Sequence, residues 1–315
     1  MDMKDNEDDM KKFILKRLGQ SILIFFGVIF ITFILMNIIP GNAATALIGE
    51  KTNSAVYERV TSELELDKPV MERFFSYIAR LFKGDLGKSI IMNQSVVEII
   101  KRAFPNTLKL SIAAMIISWG FGILFGIIAA MYQGTIVDRI FMFNSILGIS
   151  MPSFWIAILL QYIFAYKLKL VPISGFGTLK ELILPSIVLG WSFSGEITRV
   201  LKTNINHTLA EGYIDTAKVK GLSKFQIILK HALKSSMLPI VTIMILQFTS
   251  LLGGAMITET IFGIPGLGTL SISALTNRDL PLLQGTILLA TSVIIFGNFI
   301  SDILYSIIDP RIRVE

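Results

Sequence analysis

Long apolar stretches recur along this chain. Five windows contain no charged residue, and each can hold the roughly 20 apolar residues that cross about 30 Å of hydrocarbon. These windows are 18–49, 110–137, 140–166, 235–258 and 280–301. A sixth, 182–201, is charge-free only as far as Gly195 and carries Glu196 and Arg199, which we expect near one membrane face. Because a backbone in lipid must satisfy its own hydrogen bonds, the pattern predicts an all-α integral membrane protein with six transmembrane helices.

The connection between the first two windows has helical signals of its own. In 70–82, helical spacing puts apolar side chains on one face after Asp67 and Pro69, which are typical of a helix start. This face contains Val70, Phe74, Tyr77, Ile78 and Leu81. In 95–104, Ser95 and Glu98 have the spacing of a capping box. We expect two helices lying against the bundle, with partial disorder as the alternative.

Lysine and arginine are distributed unevenly among the short connections, which predicts the orientation. Basic residues precede the first window and crowd 199–234, whereas 259–279 has only Arg278. By the positive-inside rule both termini and the 202–236 connection are cytoplasmic. The predicted organisation is a polar tail over 1–12, a first transmembrane helix over 13–39, an extracytoplasmic connection over 40–104, a five-helix core over 105–308 that includes a cytoplasmic segment over 209–236, and a tail over 309–315.

Composition and motif spacing exclude several kinds of chemical site. Of the 315 residues 53% are hydrophobic and 17% charged, and cysteine is absent, which excludes thiolate chemistry and cysteine-ligated metals. The net charge of +6 comes without a basic stripe interleaved with aromatic residues, so nucleic acid is not a predicted partner. His207 and His231 are too far apart in sequence to indicate a metal site. GDLGKS, 84–89, lacks the first glycine of a phosphate-binding loop because Phe82 stands there.

The polar segment 209–236 predicts two short helices. Ile214, Ala217 and Gly221 recur at spacings of three and four and form a narrow face of small and apolar groups. Gly221 suits a left-handed helix end, and Ser223 with Gln226 forms a second capping box. The segment is either an amphipathic loop held on the anionic inner leaflet by its lysines or a docking helix that fits a groove on a partner protein.

Other groups have both a structural and a functional interpretation. Glu196 and Arg199 are expected to pair within the bundle, with a proton relay as the alternative. Gly122 and Gly126 are typical of close helix packing. ETIFGIPGLG, 259–268, predicts a sharp outer turn or short re-entrant segment.

Several segments together resemble a known family. YIDTAKVKGLS, 213–223, followed by HALKSSMLPIVT, 231–242, resembles the cytoplasmic loop of the B-type permeases of oligopeptide, dipeptide and nickel ABC importers. Asp215, Thr216, Ala217 and Gly221 occupy the positions of the E-A-A, three residues, G pattern of binding-protein-dependent ABC importer permeases in general, and Asp and Thr in place of Glu and the first Ala point to this subfamily. The resemblance extends through IIPGN (38–42), FKGDLGKSI (82–90), MPSFWIA (151–157), ETIFGIPGLGTL (259–270), NRDLPLLQG (277–285) and DPRIR (309–313).

The resemblance implies a permease subunit of the bacterial cell membrane that has no enzymatic activity and binds no cofactor. It implies pairing with a C-type sister permease, two ATPase subunits that hold ATP and Mg²⁺, and an extracytoplasmic substrate-binding lipoprotein or periplasmic protein. The residues that it assigns to ATPase coupling are Glu211, Tyr213, Ile214, Asp215, Ala217, Gly221 and Leu222. Those that it places at an outer gate or turn are Glu259, Phe262, Pro265, Gly266 and Gly268.

More than one substrate and more than one class of membrane protein are considered for this sequence. A peptide is the expected substrate, with nickel or a metal chelate next. An ion-coupled secondary transporter is the alternative class, disfavoured because no long helix shows an unambiguous carboxylate at the membrane midplane and the six windows show no clear repeat. A membrane-embedded enzyme is disfavoured because no catalytic or metal-ligand set emerges.

Overall fold

The structure is a computed structural model that describes residues 3–38, 61, 65 and 67–308. Within these residues the regular elements are helices, and an isolated bridge between Lys88 and Ser95 is the extent of β pairing. The helices are α1 (Met3–Ile38), α2 (Val70–Phe82), α3 (Val96–Met131), α4 (Ile136–Ser150), α5 (Ser153–Leu160, then π-helical over Gln161–Lys167), α6 (Leu179–Leu209), α7 (Gly212–Val219), α8 (Lys224–Ile227, then π-helical over Ile228–Ala232), α9 (Leu233–Leu252), α10 (Met256–Phe262), α11 (Leu267–Thr276) and α12 (Leu280–Ile308).

The first predicted span and the amphipathic helix after it pack together. Helix α1 begins at Met3, so described residues of the predicted polar tail already belong to the helix. Helix α2 has the predicted bounds, and its apolar face packs through Tyr77 and Phe74 against Ile29 and Phe33 of α1. Val70 was predicted on this face but is 40% exposed. Residues 40–60 of the predicted connection lie outside the described part of the chain.

Helix α3 corrects the prediction for 95–104. Ser95 stands at the start of the helix as predicted, although its side chain makes no capping hydrogen bond. The helix does not end at Phe104 but continues through Pro105 to Met131, so the predicted boundary at 104 falls inside one long helix. A proline inside a helix costs about 3 kcal/mol. Burial of the turns before it, against Leu267, Leu282 and their neighbours, opposes that cost.

The third predicted span is broken. Window 140–166 was predicted as one helix, but α4 and α5 meet at 105°. Met151 is extended, with φ −79° and ψ 133°, and Pro152 follows it. A residue before proline is driven out of the helical region, and proline cannot donate a helical hydrogen bond.

Helices α3 and α6 form the centre of the bundle and run parallel. Gly122 meets Ile197 and Gly126 meets Leu201 so closely that an added Cβ would lie 2.7 Å and 3.0 Å from those side chains. The hydroxyl of Thr198 donates to the carbonyl of Gly122 at 3.3 Å. The predicted packing role of both glycines is confirmed, because close helix approach depends on the missing side chains.

The count of spans is lower than the sequence predicts. By length and composition four helices in the described part of the chain can cross a membrane, or five if the bent pair is one span. Helix α6 contains the sixth predicted window, but its polar residues lower its mean hydropathy. It is therefore not among these four or five spans. The all-α membrane fold is confirmed, whereas six spans and cytoplasmic termini stay predictions.

Orientation can be tested because the chain has no native cysteine. Lys220, beyond α7, and Thr276, at the end of α11, are both exposed and belong to connections predicted on opposite sides. We expect the thiol introduced by Lys220→Cys to react with a membrane-impermeant maleimide only from the cytoplasmic side, and that from Thr276→Cys only from outside. The opposite pattern would overturn the topology. Wild-type chain, which has no cysteine, is treated with the same maleimide as the control for background labelling.

Candidate functional sites: the segment 209–236, the outer helix pair and the exposed face of α6

The segment 209–236 is a compact two-helix unit. Helix α7 ends at Val219, and Gly221 beyond its C-cap has a φ of +77°, the predicted left-handed conformation. Leu222 donates its N–H to the carbonyl of Ala217 at 3.3 Å. The predicted capping box opens α8: Ser223 Oγ accepts from Gln226 N–H at 3.3 Å, and Gln226 Oε1 accepts from Ser223 N–H at 3.0 Å. Local signals therefore set both ends of the turn between the helices.

The face of α7 that carries the small and apolar side chains packs against α8 of the same chain. Ile214 has no exposed surface and Ala217 is 7% exposed, and both pack with buried Ile227 and with Leu209 and Leu222. The sequence analysis expected Ile214 and Ala217 on the side of α7 that enters a partner. The structure instead places them between α7 and α8, so these residues hold the unit together.

Another set of residues faces outward from the unit. Val219 is 88% exposed, Phe225 53% and Tyr213 45%. Asp215 and Lys218 form an exposed ion pair at 2.7 Å, a kind of pair that contributes little to stability. Glu211 occupies the N-cap position of α7 with its side chain making no capping bond. We call Tyr213, Val219 and Phe225 the outward apolar patch.

The unit is tied to the bundle near the start of α4. Lys224 Nζ donates to the carbonyl of Met131 at 2.5 Å, at the end of α3. Close by in sequence, Asp138 of α4 pairs with Lys202 of α6 at 2.6 Å and accepts from Gly134 N–H at 3.0 Å. Because the partners of Asp138 and Lys224 lie far along the chain, no sequence signal indicated either contact. The segment is thus held against the end of α3, and Ile228 and Ala232 pack with Ile205 of α6.

Helices α10 and α11 form the outer helix pair, which contains ETIFGIPGLG. Glu259 has no exposed surface: its Oε1 accepts from the hydroxyl of Thr107 at 2.8 Å and its Oε2 from Thr269 N–H at 3.0 Å. The same Thr107 oxygen accepts from Leu267 N–H at 2.8 Å, so the start of α11 is bound to α3. Burial raises the pKa of the Glu259 carboxyl, and hydrogen bonds from Thr107, Thr269 and Gly268 oppose the rise.

The other predicted residues of this turn are packed tightly. Phe262 is 1% exposed in the central core, and the carbonyl of Pro265 accepts from Asn106 Nδ2 at 2.8 Å. Gly266 precedes α11, and a Cβ on Gly268 would lie 2.6 Å from Met256 Cα. The segment is therefore a closed helix–turn–helix, and its role as a gate stays a prediction.

Asp279 joins two motifs whose connection was not visible in the sequence. It is 1% exposed, accepts from the hydroxyl of Ser89 in GDLGKS, and accepts from Ile90 N–H at 3.2 Å. It also accepts from Leu282 N–H at 3.3 Å in the first turn of α12. The GDLGKS loop therefore binds a carboxylate of its own chain.

The predicted pair of Glu196 and Arg199 does not form. In the described part of the chain no ion pair joins them. Instead, Glu196 Oε2 accepts from Gln247 Nε2 of α9 at 2.9 Å, and Gln247 also donates to the carbonyl of Phe193 at 3.2 Å. Gln247 is buried, whereas Glu196 and Arg199 are exposed on one side of α6. Gln247 therefore fixes the carboxylate while the other side of both charged groups stays open.

The depth of Glu196 follows from the packing of α6 along α3. The charge-free part of α3, 110–131, is about 33 Å long and matches the hydrocarbon thickness. Its middle is near Gly122, which contacts Ile197. Glu196, the neighbour of Ile197, is thus level with the middle of the charge-free part of α3.

Comparison with known proteins settles the family. Residues 122–314 match the family described as binding-protein-dependent transport system inner membrane component, and residues 10–111 match its N-terminal region. The chain is 36% identical to the di/tripeptide transport system permease protein DppB of Pseudomonas aeruginosa (strain UCBPP-PA14), covering 96% of this chain and 99% of that protein. It is 36% identical to the glutathione transport system permease protein GsiC of Escherichia coli O6:H1 (strain CFT073), with 97% and 100% covered.

A solved structure shows the same fold. The methionine ABC transporter MetNI in an inward-facing conformation contains a chain that superposes with a TM-score of 0.55 at 14% identity, covering 68% of this chain and 97% of that one. The resemblance to ABC importer permeases is confirmed, and the ion-coupled alternative is not favoured. The chain is a multi-pass transport subunit of the inner membrane and not an enzyme. It belongs to the inner membrane components of binding-protein-dependent transport systems.

Proposed function

We propose that this chain is the B-type permease of an ATP-driven importer of short peptides. It forms a translocation pathway with a C-type sister permease, receives substrate from an extracytoplasmic binding protein, and is driven by two ATPase subunits that hold ATP and Mg²⁺. The peptide assignment is supported by the names of relatives that match nearly the whole chain, which refer to di/tripeptides and glutathione. Nickel or a metal chelate is the lesser alternative.

The observation that carries the coupling role is the outward apolar patch on a rigid, anchored unit. Val219 is 88% exposed and Tyr213 and Phe225 are about half-exposed, and exposed apolar side chains on short helices suit a hydrophobic groove of a partner. Because α7 follows α6 directly and is fixed to α8, a displacement of the docked unit moves α6 and α9. This links nucleotide-driven motion of the ATPases to the membrane helices.

The predicted coupling residues fall into two groups, those that shape the unit and those at its surface. Ile214, Ala217, Gly221 and Leu222 shape the unit, because their contacts are internal or set the turn. Tyr213 and Asp215 lie at its surface, and Glu211 precedes it. We propose that Tyr213, Val219 and Phe225 make the ATPase contact.

A charge at the most exposed residue of the patch tests this role. Val219→Glu leaves the interior of the unit untouched, so we expect normal insertion and assembly with the sister permease. Burying an unpaired carboxylate in the ATPase groove costs several kcal/mol, so ATP-driven peptide uptake in reconstituted vesicles should fall by at least about tenfold. Stimulation of ATPase activity by loaded binding protein should fall with it.

Lys220→Gln is the matched control, because Lys220 is the exposed neighbour and lies outside the patch. It should keep uptake within about twofold of wild type. Unchanged uptake in Val219→Glu at normal expression would show that the patch is not the ATPase contact and would return the segment to the membrane-surface interpretation.

A further inference from the structure

Two charged side chains face outward from the middle of the membrane bundle. Glu196 and Arg199 are three residues apart on α6, both are exposed, and Glu196 is level with the centre of the charge-free part of α3. A charge facing lipid at this depth is costly, and charges in spans almost always face the bundle interior or a water-filled cavity. The exposed side of α6 is therefore not a lipid surface in the working protein.

The two groups lie in a groove with open binding capacity. The groove has a volume of about 360 Å³ and is lined by Ile149, Glu196, Arg199, Val200, Thr203 and Asn204. Glu196 is held in place by Gln247, which is 5% exposed and has an unpartnered Oε1. In the described part of the chain the guanidinium of Arg199 has no hydrogen-bond or ion-pair partner.

We infer that Glu196 and Arg199 form a binding position for the two charged ends of a short peptide inside the translocation pathway. The inference rests on the proposed function and adds to it the residues that meet the substrate. Glu196 accepts hydrogen bonds from the α-ammonium group, and Arg199 donates to the α-carboxylate.

The dimensions agree with this assignment. The Cβ atoms of residues three apart on a helix are about 5 to 6 Å apart. An extended dipeptide spans about 7 Å and an extended tripeptide about 10 Å, and the long side chains of Glu and Arg reach across the difference. Every α-peptide with free ends carries these two charges, whereas its side chains vary. A position that holds only the ends accepts many sequences, and charge-assisted hydrogen bonds supply the attraction.

The first experiment measures access in the complete importer, reconstituted with sister permease, ATPases and binding protein. We expect thiols introduced by Glu196→Cys and by Arg199→Cys to react with a charged, water-soluble methanethiosulfonate at least about tenfold faster than the thiol from Phe121→Cys, an exposed apolar position next to Gly122 on α3. Protection is measured at Thr203→Cys, which lines the same groove and keeps both charges: trialanine with free ends should slow its reaction, and N-acetyl-trialanine amide should not. Slow reaction at both sites would show that the charges are buried against the sister permease and would overturn the inference.

The second experiment measures transport. Glu196→Gln and Arg199→Gln should each lower ATP-driven trialanine uptake by at least about tenfold while loaded binding protein still stimulates ATPase activity. Lys180→Gln removes a charge from the exposed outer end of the same helix and should stay within about twofold of wild type. Normal uptake in both variants, or loss of ATPase stimulation together with uptake, would overturn the inference. If the wild-type importer takes up no peptide at all, the proposed function fails, and this result is independent of the variants.

Discussion

Glu259→Ala is expected to lower the free energy of unfolding by on the order of 3 to 5 kcal/mol. The carboxylate has no exposed surface, and its removal leaves the hydroxyl of Thr107 and the N–H of Thr269 without their acceptor in a dry site. Each such buried donor costs about 1 to 3 kcal/mol. The unfolding temperature in detergent should fall by about 5 to 10 °C.

The matched variants separate this hydrogen-bonded cluster from a general effect on the outer helix pair. Glu259→Gln keeps the volume and one acceptor oxygen, so its loss should be smaller than that of Glu259→Ala. Thr260→Ala changes the exposed neighbour, whose hydroxyl bonds only to the carbonyl of Met256 at 2.7 Å, and should be close to neutral. Equal unfolding temperatures for Glu259→Ala and Thr260→Ala would show that the buried carboxylate does not hold α11 to α3.

Ala217→Trp is expected to abolish most ATP-driven uptake while the membrane helices stay folded. Ala217 is 7% exposed and packs between α7 and α8 with Ile214 and Ile227, where an indole does not fit. Overpacking of this kind costs about 1 to 3 kcal/mol and moves the two helices apart. Because the outward apolar patch draws on both helices, we expect uptake to fall at least about tenfold and binding-protein-stimulated ATPase activity to fall with it.

Gly221 provides a second way to disturb the same unit, together with a matched control. Its φ is +77° and nothing lies within 4 Å of an added Cβ, so any penalty there comes from the backbone and not from a clash. Gly221→Val should impair uptake because a β-branched residue resists the left-handed conformation, whereas Gly221→Asn, which tolerates it, should be nearly normal. Normal uptake in both Ala217→Trp and Gly221→Val would show that coupling to the ATPase does not depend on the geometry of this unit.

Predictions from the sequence succeeded where the cause was local. The bounds of α2, the left-handed Gly221 and the Ser223–Gln226 capping box each depend on residues within a few positions of one another, and the structure confirms all three. The candidate segment at 209–236 was located for the same reason. Which side of α7 faces a partner was not predictable from α7 alone, because small apolar residues suit both an internal and an external contact.

Two prolines show why other features of the fold could not be predicted from the sequence. Pro105 and Pro152 carry the same local signal, yet α3 continues through the first and the chain turns by 105° at the second. The difference lies in what each neighbouring turn packs against, which is information from distant residues. The partner of Glu196 was likewise missed, because Gln247 is on another helix 51 positions away.

By itself the sequence determined the all-α membrane fold, the approximate helices, the polar segment between α6 and α9 and the close packing at Gly122 and Gly126, because hydrophobic length, helical period and glycine act over short distances along the chain. Only the tertiary structure decided that Ile214 and Ala217 face inward, that Thr107 binds Glu259, and that Glu196 and Arg199 are exposed beside the charge-free part of α3. These outcomes depend on which helices meet and in what register, since a buried polar group is satisfied by whichever partner the packing brings to it.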